Sequence, residues 1–82
     1  MCYVYVLKSL KDGKRYIGMT GDIQLRLKRH NNGEVSATKG RGPFVLVYSE
    51  KHIDRISAAE RERHLKSGQG REELDRIIAS RS

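Results

Sequence analysis

Two tyrosines on a paired hairpin, Tyr5 and Tyr16, followed by Arg26 and His30 on one ridge of the next helix and by Glu62 further on, are of types that can handle phosphate chemistry. Cleaving a phosphodiester requires a nucleophile deprotonated close to phosphorus, a cation for the developing charge and a stabilised leaving oxygen. A tyrosine ionises at about pH 10 and acts as a base only where cations depress that value. Arginine carries permanent charge and two parallel donors for phosphate oxygens. Histidine exchanges a proton near neutrality. A lone glutamate offers one hard oxygen donor, which suits a Mg²⁺ ion that keeps most of its waters. No second acidic residue has obvious access to the same ion, so a one-metal site is expected.

Each of these residues also has a plainer reading. Tyr5 and Tyr16 are ordinary strand residues that would pack in a core. Arg26 and His30 would be solvated on an exposed helix face. Glu62 and Lys66, four apart, would form a surface ion pair. Register distinguishes Glu62 from such a surface charge. At ~3.6 residues per turn it lies within the arc bounded by Ala58, Ala59 and Leu65, a face the helix should bury. A carboxylate there needs a partner or a metal. The remaining polar residues point nowhere specific. Cys2, His30, His52 and His64 lack zinc-ligand spacing, and Gly33, Gly40 and Gly42 do not form a Walker-type phosphate loop.

Residues 3–7, β-branched and aromatic, read as a strand buried on both faces. An Asp-Gly turn at Asp12-Gly13 leads to a second strand over 15–20, making a hairpin. Tyr3 and Tyr5 share one face of the first strand; Tyr16 and Gly18 share one face of the second. Asp22 caps a helix running to Asn31 and stopped by Gly33. Ile23 and Leu27 lie on one stripe of it, Arg26 and His30 on another. Residues 36–42 read as a basic loop and 43–48 as a third strand, with proline tolerated at its start. Ser57-Ala58-Ala59-Glu60 has the form of a capping box, Glu60 bonding back to the cap. That helix should end at the Ser67-Gly68 break, and a last helix from about Arg71 carries Leu74, Ile77 and Ile78 towards the core. The order ββαβαα predicts an α/β (α+β) fold: a three-stranded antiparallel sheet flanked by three helices, in one domain over 1–82.

Seventeen Lys and Arg against ten acidic residues leave a formal charge of +7. That excess points to a polyanion partner, nucleic acid above all; the plainer reading is solubility. Lys39 and Arg41 on the basic loop, with Arg29 and Lys66, are expected to contact a nucleic-acid backbone, alongside Lys14, Arg15 and Lys28. The longest apolar run, Val45-Leu46-Val47-Tyr48, is far short of the ~20 residues of a membrane span. The N-terminus lacks the basic and small-residue segments of a secretory signal. With a single cysteine, no internal disulfide can form; the cytoplasm is the expected compartment.

The chain resembles the GIY-YIG nuclease superfamily. Tyr3-Val4-Tyr5 stands where the first triplet falls, and Tyr16-Ile17-Gly18 matches the second. Arg26 and His30 lie ten and fourteen residues after Tyr16, as the family's arginine and histidine or tyrosine do. Ala58, Glu62, Leu65 and Lys66 match the family's alanine, glutamate and leucine-lysine pair. The stretch Thr38-Lys39-Gly40-Arg41-Gly42-Pro43-Phe44 and the segment Leu65-Lys66-Ser67-Gly68 are similar to the small stand-alone UPF0213 group. The departures are Tyr3, where the superfamily has glycine, and Met19, where some relatives carry lysine.

The resemblance implies a DNA endonuclease that uses one Mg²⁺ (or Mn²⁺) ion. Tyr16 would activate water and Tyr5 would orient it. Arg26 would stabilise the pentavalent phosphate, His30 would assist proton transfer or hold phosphate, and Glu62 would bind the metal. DNA is the expected partner of a monomer engaged in DNA repair or processing, with RNA left open. Two alternatives stand beside this reading: a nucleic-acid-binding module of the same fold with little or no cleavage, and a small interaction protein whose charge serves solubility. The complete five-residue set favours the enzyme.

Overall fold

Apolar side chains on both faces of residues 2–7 demand cover from both sides, and the chain supplies it. The computed structural model describes residues 1–81. Strands β1 (Cys2–Ser9) and β2 (Arg15–Thr20) are followed by helix α1 (Ile23–Asn31) and a single 3-10 turn (Ser36–Thr38). Strand β3 (Phe44–His52) and helices α2 (Arg55–Lys66) and α3 (Gly68–Arg81) complete the order ββαβαα. The sheet runs β2-β1-β3, antiparallel throughout.

Alternation along central β1 divides the interior in two. Cys2, Val4 and Val6, with Ile17 of β2, pack against Ala58 and Leu65 of α2 and Leu74 of α3. Tyr5, Leu7 and Phe44 face the other way, against Tyr16 and the Ile23 and Leu27 stripe of α1. Val4, Val6 and Leu7 are wholly inaccessible, and each such side chain contributes about 1.5–3 kcal/mol relative to exposure. No helix among the described residues is long and apolar enough to cross a membrane.

The hairpin turn, α1 and its cap, and the break at Ser67 lie where the sequence predicts them. Gly13 takes the left-handed conformation at φ 74°. Asp22 accepts a hydrogen bond from the Leu25 amide at 3.1 Å.

Three boundaries differ by three residues or more. Strand β3 continues through Ser49, Glu50, Lys51 and His52, because these pair with residues 2–5 of β1 past a bulge; their polarity breaks the apolar pattern that marks a strand. Helix α2 starts earlier than the capping-box reading has it. Asp54 is the N-cap and accepts from the Ser57 amide at 2.8 Å, the Ser57 hydroxyl is engaged with His52 Nδ1 at 2.8 Å, and Glu60 is exposed. Helix α3 starts at Gly68 rather than near Arg71. A Cβ on Gly70 would lie 2.5 Å from the Leu65 Cα, so the glycine lets α3 press directly on the end of α2.

A polar network ties these late elements together. Arg61 bonds Glu50 Oε2 at 3.0 Å and also Glu73, while Tyr48 and His52 donate to Glu50. Burial opposes ionisation of Glu50, but hydrogen bonds from Tyr48, His52 and Arg61 outweigh it and hold the carboxyl below its usual range.

Candidate active site

The α1 face of the sheet gathers four of the five sequence-selected residues, and the register explains how. Tyr5 of β1 sits opposite Gly18 of β2, and Leu7 opposite Tyr16, so both phenol rings rise from the same face. Arg26 and His30, one turn apart on α1, come down onto them. Asn31, next along the helix, clamps the start of β3 by accepting from the Phe44 amide at 2.6 Å and donating to its carbonyl.

His30 is 1% exposed and bonded at both ring nitrogens. Its Nε2 is 2.9 Å from Tyr5 Oη and its Nδ1 is 2.7 Å from Thr38 Oγ1. The tautomer with Nδ1 protonated satisfies every contact in this chain of groups. The Thr38 hydroxyl donates to the Val35 carbonyl at 3.4 Å, so it accepts from His30 Nδ1–H. In a neutral ring Nε2 then accepts from the Tyr5 hydroxyl. Arg26 Nε donates to Tyr5 Oη at 3.4 Å. The order of donation is Arg26 to Tyr5 to His30 to Thr38 to Val35.

The electrostatics agree with that order. Burial, followed by the Arg26 charge, pushes the His30 imidazole below the usual histidine range, keeping it neutral. Burial raises the Tyr5 phenol above the usual tyrosine value despite the Arg26 hydrogen bond. Tyr5 is therefore a held phenol, not a base. With both nitrogens engaged and the ring kept neutral, His30 has no free atom for phosphate in this arrangement; it holds Tyr5 in place.

Tyr16 is placed differently. It is half-buried, its ring lies 4.9 Å from the His30 ring and 6.3 Å from Tyr5, and its hydroxyl makes no hydrogen bond among the described residues. Arg26 lies within electrostatic reach of it. Tyr16 is the phenol that meets solvent at this site.

Glu62, on α2, lies within electrostatic range of the site, its charge close enough to act on Tyr5. The side chain is 22% exposed and pairs with Lys66 Nζ at 3.0 Å, so both the buried-face and the ion-pair readings of the sequence describe it. Among the described residues no three His, Cys, Asp or Glu side chains converge as a metal cage. One accessible carboxylate beside open solvent fits a Mg²⁺ ion that takes its other ligands from water and phosphate. The expected backbone-contacting residues divide. Lys39 and Arg29 are exposed, whereas Arg41 is drawn to Asp12 at 3.4 Å and stacks 5.8 Å over the Phe44 ring.

Thr38 and Gly18 are the positioning residues to which the sequence reading gives no role. Thr38, wholly buried, lies in a polar loop with no periodicity to mark it. Gly18 belongs to a matched triplet, but its reason is tertiary: a Cβ there would sit 2.6 Å from Tyr5 Oη and 3.1 Å from Tyr16 Cε2. Gly18→Ala should therefore lower stability by about 1–3 kcal/mol through overpacking and disturb the Tyr5–His30 bond. Wild-type melting together with an unchanged His30 imidazole NMR signal contradicts this.

Burial of neutral His30 also sets a pH dependence. Its folded-state pKa is lowered, so the unfolded chain binds the extra proton first. The His30 contribution is fully present above the unfolded value of about 6.5 and is lost as pH falls through the folded value. Urea denaturation followed from about pH 8 down to about pH 5 should give falling stability below that point. Stability that rises on acidification through this window contradicts the assignment.

The family model described as the GIY-YIG catalytic domain matches residues 1–74. A UPF0213 protein of Clostridium perfringens is 41% identical over 83 aligned positions, covering 100% of this chain and 87% of the relative. One from Natronomonas pharaonis is 37% identical, covering 94% and 89%. The solution NMR structure of a UPF0213 protein from Bacillus halodurans superposes with a TM-score of 0.56 at 37% identity, covering 94% of this chain and 85% of that one.

Proposed function

The chain belongs to the GIY-YIG family of nucleases, in its UPF0213 group, and from that premise we propose that it is a Mg²⁺-dependent DNA endonuclease hydrolysing phosphodiester bonds. One observation carries the reading: Arg26 is tied to the Tyr5–His30 relay beside a solvent-facing Tyr16, within reach of the Glu62 charge.

In this reading Tyr16 takes the proton of the attacking water, a role that needs neighbouring positive charge, and Arg26 provides it. Arg26 also receives the charge that develops on the phosphate oxygens. Tyr5 orients the water and Arg26, and is itself fixed by His30 and Thr38. Glu62, with water and substrate phosphate, would hold the Mg²⁺ ion, whose chemistry there is stabilisation of the leaving oxygen. DNA as substrate, action as a monomer, a cytoplasmic location and a part in DNA repair or processing belong to the same proposal.

The test is a panel of labelled DNA and RNA substrates incubated with Mg²⁺, with Mn²⁺ and with EDTA. DNA products that vanish on chelation support the proposal. Cleavage surviving exhaustive EDTA contradicts Glu62 as a metal holder. Salt-dependent binding without cleavage of any substrate favours the binding-module alternative.

A further inference from the structure

Tyr16 and Lys66 also border a cavity of about 590 Å³ between the start of β2 and the junction of α2 with α3. Its volume falls in the range of about 300–1,000 Å³ that takes nucleotide-sized ligands. The lining is lopsided in charge. Lys14, Arg15, Lys66 and Arg71 contribute cations, and Asp75 is the single carboxylate. Ile17 and Leu74 back the cavity with apolar surface. Asp75, exposed, reaches across from α3 to Arg15 at 2.6 Å.

Cations and apolar surface in one lining are the complement of a nucleotide unit, with its anionic phosphate and apolar sugar and base faces. Tyr16 and Lys66 belong both to the cavity lining and to the surroundings of the candidate active site. We propose that it seats the nucleotide adjoining the scissile phosphate. Lys14, Arg15 and Arg71 hold the next phosphate along the strand, and Asp75 competes with that phosphate for Arg15. The proposal rests on the nuclease reading, and gives it a second contact point that fixes which phosphate lies at Tyr16.

Fluorescence anisotropy with a short fluorescein-labelled single-stranded deoxyoligonucleotide, in EDTA so that nothing is cut, tests this on the full chain. The lining cations are exposed, so their exchange for glutamine leaves the core intact, and circular dichroism verifies folding. Lys14→Gln and Arg71→Gln should each weaken binding by about fivefold and lower the salt slope by about one. Asp75→Asn should tighten binding by about threefold, a gain that damage to the fold does not produce. Lys51→Gln, on exposed β3 surface outside the cavity, is the control for loss of net charge. If the wild type binds while the three cavity variants behave like Lys51→Gln, the cavity proposal is overturned and the nuclease reading stands. If the wild type binds no oligonucleotide even at low salt, both fall.

Discussion

Glu62→Gln is expected to fold and bind DNA as the wild type does, and to lose cleavage by at least about 10²-fold. The substitution keeps the shape of the side chain and removes the one carboxylate that α2 presents to the site. Its cost to the fold is small, because the pair it breaks joins a 22% exposed carboxylate to a 54% exposed lysine, and pairs of that kind are worth about 0–1 kcal/mol. Glu60→Gln is the matched control. Glu60 is exposed and takes no part in the helix cap, which Asp54 forms, so its exchange should leave stability, binding and cutting alone. Single-turnover cleavage of both variants decides the matter. A Glu62→Gln protein that cuts at the wild-type rate places the metal elsewhere.

Arg26→Lys should be nearly as damaging, although charge is conserved. Arg26 donates through Nε to Tyr5, and its remaining guanidinium donors make no hydrogen bond among the described residues; a lysine offers one compact ammonium and cannot hold Tyr5 and a phosphate in that fixed geometry. The loss of a preorganised donor to developing phosphate charge predicts a fall of about 10²-fold in single-turnover rate. DNA affinity should change little, since much of it comes from other cations. A rate within about threefold of wild type would mean that Arg26 contributes only its charge.

The sequence reading succeeds where local chemistry and tertiary structure ask for the same thing. Alternating apolar residues in β1, the Asp12-Gly13 turn, the Asp22 cap and Gly33 each act within a few residues, and each lies where its local signal points. It fails where a distant partner decides. Residues 49–52 are polar, yet they form strand because β1 needs a neighbour there and because Arg61 and Tyr48 bond Glu50. Gly68 and Gly70 argue against a helix on propensity, but α3 begins there because α2 leaves room for nothing larger than hydrogen at Gly70. At the site the residues were marked by the family resemblance, since pattern alone gives each of them a plainer reading. The burial of His30 was not legible, since its partner Thr38 lies in a loop whose composition reads as solvated.

Tyr16→Phe tests the central claim most directly, because it removes one oxygen that bonds no other group among the described residues. Packing against Tyr5 and His30 needs only the ring, which phenylalanine keeps. Single-turnover cleavage, measured at saturating protein with Mg²⁺ on the best-cut DNA substrate, should fall by about 10²-fold or more while melting temperature and DNA affinity hold. Cleavage by Tyr16→Phe at the wild-type rate would contradict the account, for the solvent-facing phenol at this site would then have no part in the chemistry.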